Sequence, residues 1–496
     1  MRDSEDRWYY DVTDSEWQTQ LDALLQRRGD DLVLLRGGSV ITLDKELGDF
    51  DRGDILVKGN KILRVGADLS GAAADGNAIV IDVKGMIVMP GLVDGHKHCW
   101  QNQFRGLIVD ASIGEYMATV HAGFAKAYDP EDMFVGDMVT TLGLLDCGVT
   151  TVLDFSHNTR SPAHTDAVFR AYKQAGIRAV HASSAPSAGT WDEHWPMDLE
   201  RIRDAYHDPD GLTTVRMGLV EMRPWPLEKM VMHGRSLGLS ITIDGVCGEF
   251  CSEVEKLGDA NLLGPDVTLI HLSGITERAW KMIKENGVRV TLATTSDEQI
   301  GLGNGLSPVQ EALDLGIRPS LSSDVEVSLA TDMFTQMRHA LSTQRMFQTK
   351  ATYDGEVARP SYITNRDVLE MCVVQGAHDL GLGGVTGSLT PGKFADIVCI
   401  AAWEFSNLPL NNAIGTVVQG TDRSAIRHVM VGGQPRKWNG KLVGQDINKL
   451  RRDAAASRDK IAKLAGFNYT PCHPYRPVET QELAVAADWL RRRPVR

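Results

Sequence analysis

The sequence predicts an α/β fold: an eight-stranded parallel (β/α)8 barrel joined to a small β-sandwich module. The middle of the chain alternates short apolar runs with helical segments, which is typical of a parallel sheet covered by helices. Short β-rich runs separated by Gly, Asp and Asn come before that region. The chain has 496 residues, which is long enough for a large barrel and a smaller domain.

The barrel can be followed through eight strand candidates, the number that a closed barrel needs. They are residues 86–89, 149–154, 177–183, 214–221, 240–244, 267–271, 288–292 and 320–324. Helical segments such as 130–145 and 276–286 separate them. The active site of such a barrel lies at the carboxyl ends of its strands, where this sequence has several His and Asp residues.

Two flanking segments lie outside these units. Residues 1–30 contain a helix candidate that Asp14 or Ser15 could cap, and we expect it to pack on the body or on a neighbouring subunit. Residues 446–496 begin with a second helix candidate, for which Asp446 is the predicted cap. We predict a helical arm without catalytic residues and a helical tail whose basic end is a solvated terminus or, alternatively, a contact for a phosphate or an acidic partner.

The composition excludes several classes of protein. Hydrophobic residues make up 43% and charged residues 24%, as in soluble globular proteins. The net charge of −13 argues against nucleic-acid binding, and no apolar run is long enough to cross a membrane. Seven scattered cysteines do not form a disulfide framework, and the first residues do not resemble a signal peptide. We therefore expect a soluble, cytoplasmic enzyme. We also expect a small-molecule substrate and assembly as a homodimer or homotetramer, which the composition does not decide.

Two histidines follow the first strand candidate in a pattern typical of a metal site. The apolar run ends at Pro90 and Gly91, and His96 and His98 come shortly afterwards. Side chains of an extended strand alternate, so both imidazoles project to the same side. Two imidazoles facing one point suit a transition metal. The alternative is a surface loop with two incidental histidines.

The stretch PGLVDGHKH, followed by QFRGL, resembles the first barrel strand of the amidohydrolase superfamily. The most similar branch contains cytosine deaminase, S-adenosylhomocysteine deaminase and atrazine chlorohydrolase. GSLTPGKFADIVCI and HVMVGGQPRKWNGKLV resemble the strands that return to the family's β-sandwich. The resemblance implies a composite sandwich of residues 31–85 and 387–445 around a metal-dependent barrel of residues 86–386.

The resemblance also assigns roles at three strand ends. Asp324 would bind the metal and accept a proton from the attacking water. His271 would contact substrate or water, as in this branch, or bind the metal, as in others. Strand five normally carries His-x-x-Glu, but Asp244 and Cys247 occupy those positions here. Asp244 could bind the metal in place of histidine, His271 could become a ligand, or the site could bind metal poorly.

Other polar and aromatic residues near the strand ends are candidates for substrate binding. Plain packing is the alternative for Trp100 and His121, and a buried inert thiol for Cys247. His157 could also transfer protons. The candidate substrate-binding residues are Trp100, Gln101, His121, His157, Glu221 and Cys247.

The implied reaction is hydrolytic deamination of a nitrogen heterocycle at a non-peptide carbon–nitrogen bond. One divalent ion, zinc or alternatively iron, would lower the pKa of the attacking water. The catalytic residues would be Asp324, His271 and Asp244. A hydrolytic dechlorinase, a metal-dependent lyase, isomerase or ring-opening enzyme, and a non-catalytic relative are the alternatives. No Gly-rich phosphate loop is present, so we expect no nucleotide cofactor.

Overall fold

The computed structural model describes residues 12–73, 78–186, 195–220, 226–330, 332–356 and 362–471. Strands in these ranges form two sheets, one of nine strands and one of eight. The eight-stranded sheet is parallel throughout, and helices separate its consecutive strands. The predicted fold class, a (β/α)8 barrel with a separate β domain, is confirmed.

The strands are numbered in chain order. The first five are β1 (Leu32–Val40), β2 (Phe50–Lys58), β3 (Lys61–Gly66), β4 (Ala78–Asp82) and β5 (Met86–Pro90). The barrel strands are β6 (Leu92–Lys97), β7 (Val149–Ser156), β8 (Arg178–Ser183), β9 (Thr213–Val220), β10 (Ile241–Val246), β11 (Val267–His271), β12 (Arg289–Leu292) and β13 (Ser320–Leu321). The last four are β14 (Ile397–Ala401), β15 (Ile426–Val431), β16 (Gln434–Trp438) and β17 (Lys441–Leu442).

The helices are numbered in the same way. Those up to β10 are α1 (Asp14–Gln26), α2 (Ile113–Tyr116), α3 (Pro130–Asp146), α4 (Pro162–Ala175), α5 (Leu199–Tyr206) and α6 (Leu227–Ser236). Those that follow are α7 (Cys251–Asp259), α8 (Glu277–Glu285), α9 (Thr294–Ser296), α10 (Val309–Asp314), α11 (Met333–Tyr353), α12 (Asn365–Glu370), α13 (Gly376–Asp379), α14 (Ala413–Gly415) and α15 (Ile447–Leu464). None of the helices in the described ranges is both long and apolar enough to cross a bilayer.

The nine-stranded sheet is built from both ends of the chain. β5 pairs with β1 in parallel and with β14 in antiparallel orientation, so this strand joins the early and late segments. Its buried face packs with α1, whose Trp17 and Leu24 lie in the same core as Val33 and Trp438. The predicted domain limits at residues 31, 86, 387 and 446 remain a prediction.

The barrel closes between its first and last strands. The described strands run in order from β13 to β6, and a parallel bridge between Lys97 and Asp324 joins the two edges. Two backbone hydrogen bonds accompany it: His98 N–H donates to Asp324 O, and Asp324 N–H donates to His96 O, both at 3.1 Å. Strands such as β7 are buried along their whole length because helices cover the outer face of the barrel.

Two local predictions were wrong. Residues 86–89 form a strand, but it belongs to the nine-stranded sheet, and the first barrel strand is Leu92–Lys97 instead. An apolar run shows that a strand is buried without showing which sheet it joins. Helix α1 is capped by Thr13 rather than Asp14 or Ser15, because Thr13 forms a reciprocal capping box with Glu16. The predicted cap of α15, Asp446, is confirmed by its hydrogen bond from Lys449 N–H.

Candidate metal centre

Strands β6 and β13 meet at the closing seam of the barrel, and this seam brings three predicted ligands together. His96 is the next-to-last residue of β6, His98 directly follows the strand, and both face the same side, as strand alternation requires. The Nε2 atoms of both histidines lie 3.3 Å from Oδ1 of Asp324. The backbone hydrogen bonds across the seam fix the spacing of all three residues.

Two further side chains come from neighbouring barrel strands, namely Asp244 of β10 and His271 of β11. Asp244 Oδ1 lies 3.2 Å from His271 Nε2 and 3.6 Å from His96 Nε2. Its second oxygen, Oδ2, lies 3.6 Å from His98 Nε2. Asp244 therefore stands among three imidazoles. We call His96, His98, Asp244, His271 and Asp324 the metal centre.

The donor atoms of the metal centre fit a divalent transition-metal ion. Tetrahedral sites with bonds of about 2.0–2.1 Å place neighbouring donor atoms roughly 3.3 Å apart, close to the separations at the metal centre. Three imidazoles and two carboxylates are the ligand types that zinc and iron accept. All five side chains are buried, and within the described chain neither His96 Nε2 nor Asp324 Oδ1 has a hydrogen-bond partner. Such atoms are costly to bury without a cation or a donor.

Hydrogen bonds at Nδ1 orient two of the imidazoles. His98 Nδ1 lies 3.1 Å from the carbonyl oxygen of Phe155, and His271 Nδ1 lies 2.9 Å from Oδ1 of Asp297. An acceptor at Nδ1 favours the tautomer that carries its proton there, which leaves the Nε2 lone pair for a metal. Ser296 Oγ donates to Oδ2 of Asp324 and holds that carboxylate. Burial raises the pKa of Asp297 to about 6, although the contact with His271 opposes the shift.

The electrostatics of the metal centre keep its carboxylates charged. Burial alone would raise the pKa of Asp244, but His96, His271 and His98 hold it well below the usual range. Asp324 is also buried, and the neighbouring histidines lower its pKa in the same way. Burial and the charge of His96 lower the pKa of His98, which favours a neutral ring able to bind metal.

Two of these residues have an unusual backbone conformation. His271 has φ 80° and Asp324 has φ 57°, both in the left-handed region that residues other than glycine rarely adopt. Such conformations cost about 1–3 kcal/mol each and persist where the surrounding structure enforces them, commonly at functional sites. His271 ends β11 and Asp324 follows β13 by three residues, and both side chains belong to the metal centre.

A cleft opens beside the metal centre. Three predicted substrate-binding residues line it, namely His121, His157 and Cys247. Trp100 and Gln101 are fully buried one layer behind, where Trp100 contacts His157 and Gln101 contacts Tyr116. The remaining walls are mostly apolar and comprise Ile113, Tyr116, Met117, Val220, Gly245, Ser296, Ile300 and Leu302. Glu221 lies outside the described residues.

Sequence reasoning missed Asp297, Ser296 and Tyr116. None of them ends a barrel strand: Ser296 and Asp297 follow β12 by four and five residues, and Tyr116 ends the short helix α2. The polar run TTSDEQ after an apolar strand is the signal that could have found the first two. It also fits an ordinary helix start, which is why it was not distinctive.

Comparison with known proteins supports the same family as the sequence motifs. The sequence profile of the Amidohydrolase family matches residues 240–441. A 5-methylthioadenosine/S-adenosylhomocysteine deaminase of Syntrophobacter fumaroxidans is 26% identical over 459 residues, covering 87% of this chain and 97% of the relative. A 5'-deoxyadenosine deaminase of Methanosarcina mazei is 24% identical over 457 residues, covering 86% and 98%.

Solved structures share the fold. A zinc-bound adenosine deaminase from Xanthomonas campestris superposes with a TM-score of 0.74 at 19% identity, covering 87% of this chain and 98% of its own. An atrazine chlorohydrolase from Arthrobacter aurescens, complexed with zinc, gives 0.75 at 22% identity, covering 86% and 100%. This chain is therefore similar to the Amidohydrolase family over residues 240–441, and it shares its overall fold with these solved structures.

Proposed function

We propose that this protein is a metal-dependent hydrolase that deaminates a nitrogen heterocycle at a non-peptide carbon–nitrogen bond. The observation that carries the proposal is the cluster of three imidazoles and two carboxylates whose facing nitrogen and oxygen atoms lie 3.2–3.6 Å apart beside a cleft. The reaction type is supported by full-length relatives that are named deaminases.

His96, His98, Asp244 and Asp324 would hold one divalent ion, zinc or iron, with His271 as a further ligand or as a contact to the attacking water. Asp244 takes the position where the family has a strand-five histidine. Its two oxygens approach three imidazole nitrogens at 3.2–3.6 Å, which supports a ligand role. A bound divalent ion would supply a Lewis acid that lowers the pKa of a coordinated water.

Asp324 would accept the proton, and two neighbouring residues would hold the side chains of the metal centre in place. Asp324 has a charged carboxylate next to the cleft and is the proton acceptor in this proposal. The hydroxyl of Ser296 holds one oxygen of that carboxylate and leaves Oδ1 directed at the metal centre. Asp297 fixes the ring of His271, so that its Nε2 keeps facing the same point.

The walls of the cleft suit a flat, largely apolar ring. Ile113, Met117, Ile300 and Leu302 present aliphatic surface, and the polar groups of the metal centre line the same cleft. An apolar wall with a few convergent polar groups is typical of small-molecule sites. It also excludes bulk water, which strengthens the electrostatic contacts inside.

Metal analysis and an ammonia-release screen test this proposal together. We expect about one zinc or iron per chain, and ammonia release from at least one member of a panel of adenosine derivatives, aminopyrimidines and aminotriazines. The Asp324→Asn variant should lose both, whereas Asp259→Asn, which changes an exposed aspartate of α7, should lose neither. A chain that stays metal-free after loading, or that releases only chloride from chlorotriazines, would contradict the proposal.

A further inference from the structure

The orientation of His157 in the cleft wall follows from the contact with Trp100. Trp100 Nε1 lies 3.1 Å from His157 Nδ1. An indole nitrogen can only donate, so His157 Nδ1 must accept this hydrogen bond. A neutral imidazole that accepts at Nδ1 carries its proton on Nε2. The contact therefore determines both the protonation state and the tautomer of His157.

Ring packing holds His157 in this orientation. Its ring stacks on that of His98 with centroids 4.0 Å apart and planes at 9°. His121 packs edge-on against it at 4.7 Å, and Phe155 does so at 5.5 Å. His157 is buried to 3% exposure but lines the cleft. A ring confined on several sides cannot rotate freely, so Nδ1 stays directed at the indole of Trp100.

The same geometry excludes two other roles for His157. A metal ligand needs a free lone pair at the binding nitrogen, but Nε2 carries the proton and the lone pair of Nδ1 accepts from the indole. A proton donor would have to be the doubly protonated ring. That ring would set an N–H at Nδ1 against the N–H of Trp100, and it would stack a cation on a metal-binding imidazole.

We propose that His157 is a fixed, neutral hydrogen-bond donor to the substrate, and that Trp100 is the positioning residue that sets its tautomer. This inference rests on the proposed function. The Nε2–H group would bind an acceptor atom of the heterocycle, most simply a ring nitrogen beside the carbon that water attacks. As water adds to that carbon, electron density moves to the ring nitrogen, and a preorganised donor stabilises it.

The tautomer can be measured without any substrate. We would record long-range ¹H–¹⁵N spectra of the zinc-loaded protein labelled only at histidine, and assign His157 from the missing signals of His157→Gln. We expect an unprotonated Nδ1 and a protonated Nε2. Trp100→Phe removes the indole donor and should shift both nitrogen signals, whereas Trp280→Phe, which removes a buried indole of α8, should not. A protonated Nδ1 in the wild type would overturn the inference.

Kinetics with the fastest substrate of the ammonia panel test the donor role. Glutamine can place an N–H near the position of His157 Nε2, asparagine is one methylene too short, and phenylalanine keeps the stacking without a donor. We expect kcat/KM to fall about 10- to 100-fold in His157→Phe and His157→Asn, and less than about tenfold in His157→Gln, with unchanged zinc content.

Two results would overturn the donor role. One is a His157→Phe variant within about twofold of wild type. The other is a loss of zinc in that variant in proportion to activity, since this would make His157 a ligand. If no member of the panel releases ammonia, the proposed function fails, but the nitrogen spectra still decide the tautomer of His157.

Discussion

Two buried clusters in this barrel have residue types that bind metals, yet their surroundings differ. One is the metal centre. The other, which we call the acid pair, consists of Asp137 on α3 and Asp154 on β7, with Cys99 beside them. Each cluster contains at least three potential ligand atoms that lie within 4.8 Å of one another in the interior of the protein. Composition and burial alone therefore do not separate a metal site from another buried polar cluster.

The partners of the carboxylates make the difference. Asp154 accepts a hydrogen bond from Cys99 N–H at 3.0 Å and another from the hydroxyl of Tyr172, so its charge is compensated by donors. Asp137 has no hydrogen-bond donor among the described residues, and burial together with the charge of Asp154 raises its pKa well above the usual range. A proton therefore stabilises the acid pair. The carboxylates of the metal centre face imidazoles and a cleft, so a cation stabilises that cluster.

The largest effect should come from the metal centre. Asp324→Asn removes the residue that we propose as a charged metal ligand and as the proton acceptor, and we expect turnover to fall by at least about 10²–10³-fold. Metal content should fall with it. Elemental analysis and ammonia release on the same preparation check this result, with Asp259→Asn as the matched control. An Asp324→Asn variant with full turnover would remove Asp324 from the catalytic residues.

Asp244→Asn tests whether strand five contributes a ligand. If Asp244 binds the metal, its affinity for zinc and its turnover should fall together, by about 10–100-fold. Competition with a zinc-binding dye measures the affinity, and ammonia release measures the turnover. Metal affinity that stays unchanged while turnover falls would instead indicate a substrate contact.

A smaller loss of zinc affinity is expected for a change at Asp297, which contacts the ring of His271. Asp297→Asn keeps the size of the side chain but weakens the acceptor at Nδ1 of His271, and we expect zinc affinity to fall by about tenfold. The same competition assay checks it. Asp314→Asn, which changes an aspartate of α10 outside the cleft, is the control. Equal zinc affinities of Asp297→Asn and wild type would mean that Asp297 does not support the ligand.

The smallest change at neutral pH is expected for Asp137→Asn, which should leave metal content and turnover unchanged. Its effect should appear in the dependence of stability on pH. Above the ordinary pKa of 3.8, folded Asp137 keeps a proton that the unfolded chain releases, because its folded pKa is raised. The free energy of unfolding of the wild type should therefore decrease with rising pH relative to the variant, by at most about 1.4 kcal/mol per unit.

Urea unfolding of wild type and Asp137→Asn at several pH values between 4 and 8 measures this difference. A constant difference across the series would show that Asp137 is ionised in the folded protein. Loss of bound metal in Asp137→Asn would show instead that the acid pair holds a cation.

The sequence predicted the fold and the residues at the strand ends because both depend on local patterns. His96 and His98 could be placed on one side from strand alternation alone, and Asp324 and His271 followed from resemblance. Asp297 could not be found this way. Its contact with His271 spans 26 residues and depends on how the turn after β12 folds back over β11.

The boundary between the two sheets was misplaced for a related reason. β5 and β6 are separated by Gly91 alone, and both are fully buried. β6 also contains Asp94, His96 and Lys97, so it does not stand out as an apolar run, and only the pairing of β5 with β1 and β14 shows that β5 belongs to the other sheet. The sequence distance between these partners is too large for a local pattern to reveal it.

The closing seam of the barrel has a consequence for how the protein is made. His98 and Asp324 are separated by 226 residues, as are Lys97 and Ser323 in their direct contact across the same seam. During synthesis, the proposed ligands cannot all come together until the last barrel strand, β13, has left the ribosome and docked against the first barrel strand, β6. A metal ion bound by His98 and Asp324 would link the two ends of this long loop. It would thereby favour the closed barrel over open conformations, since loop closure is entropically costly. Acquisition of the metal and completion of the fold would then be a single late event.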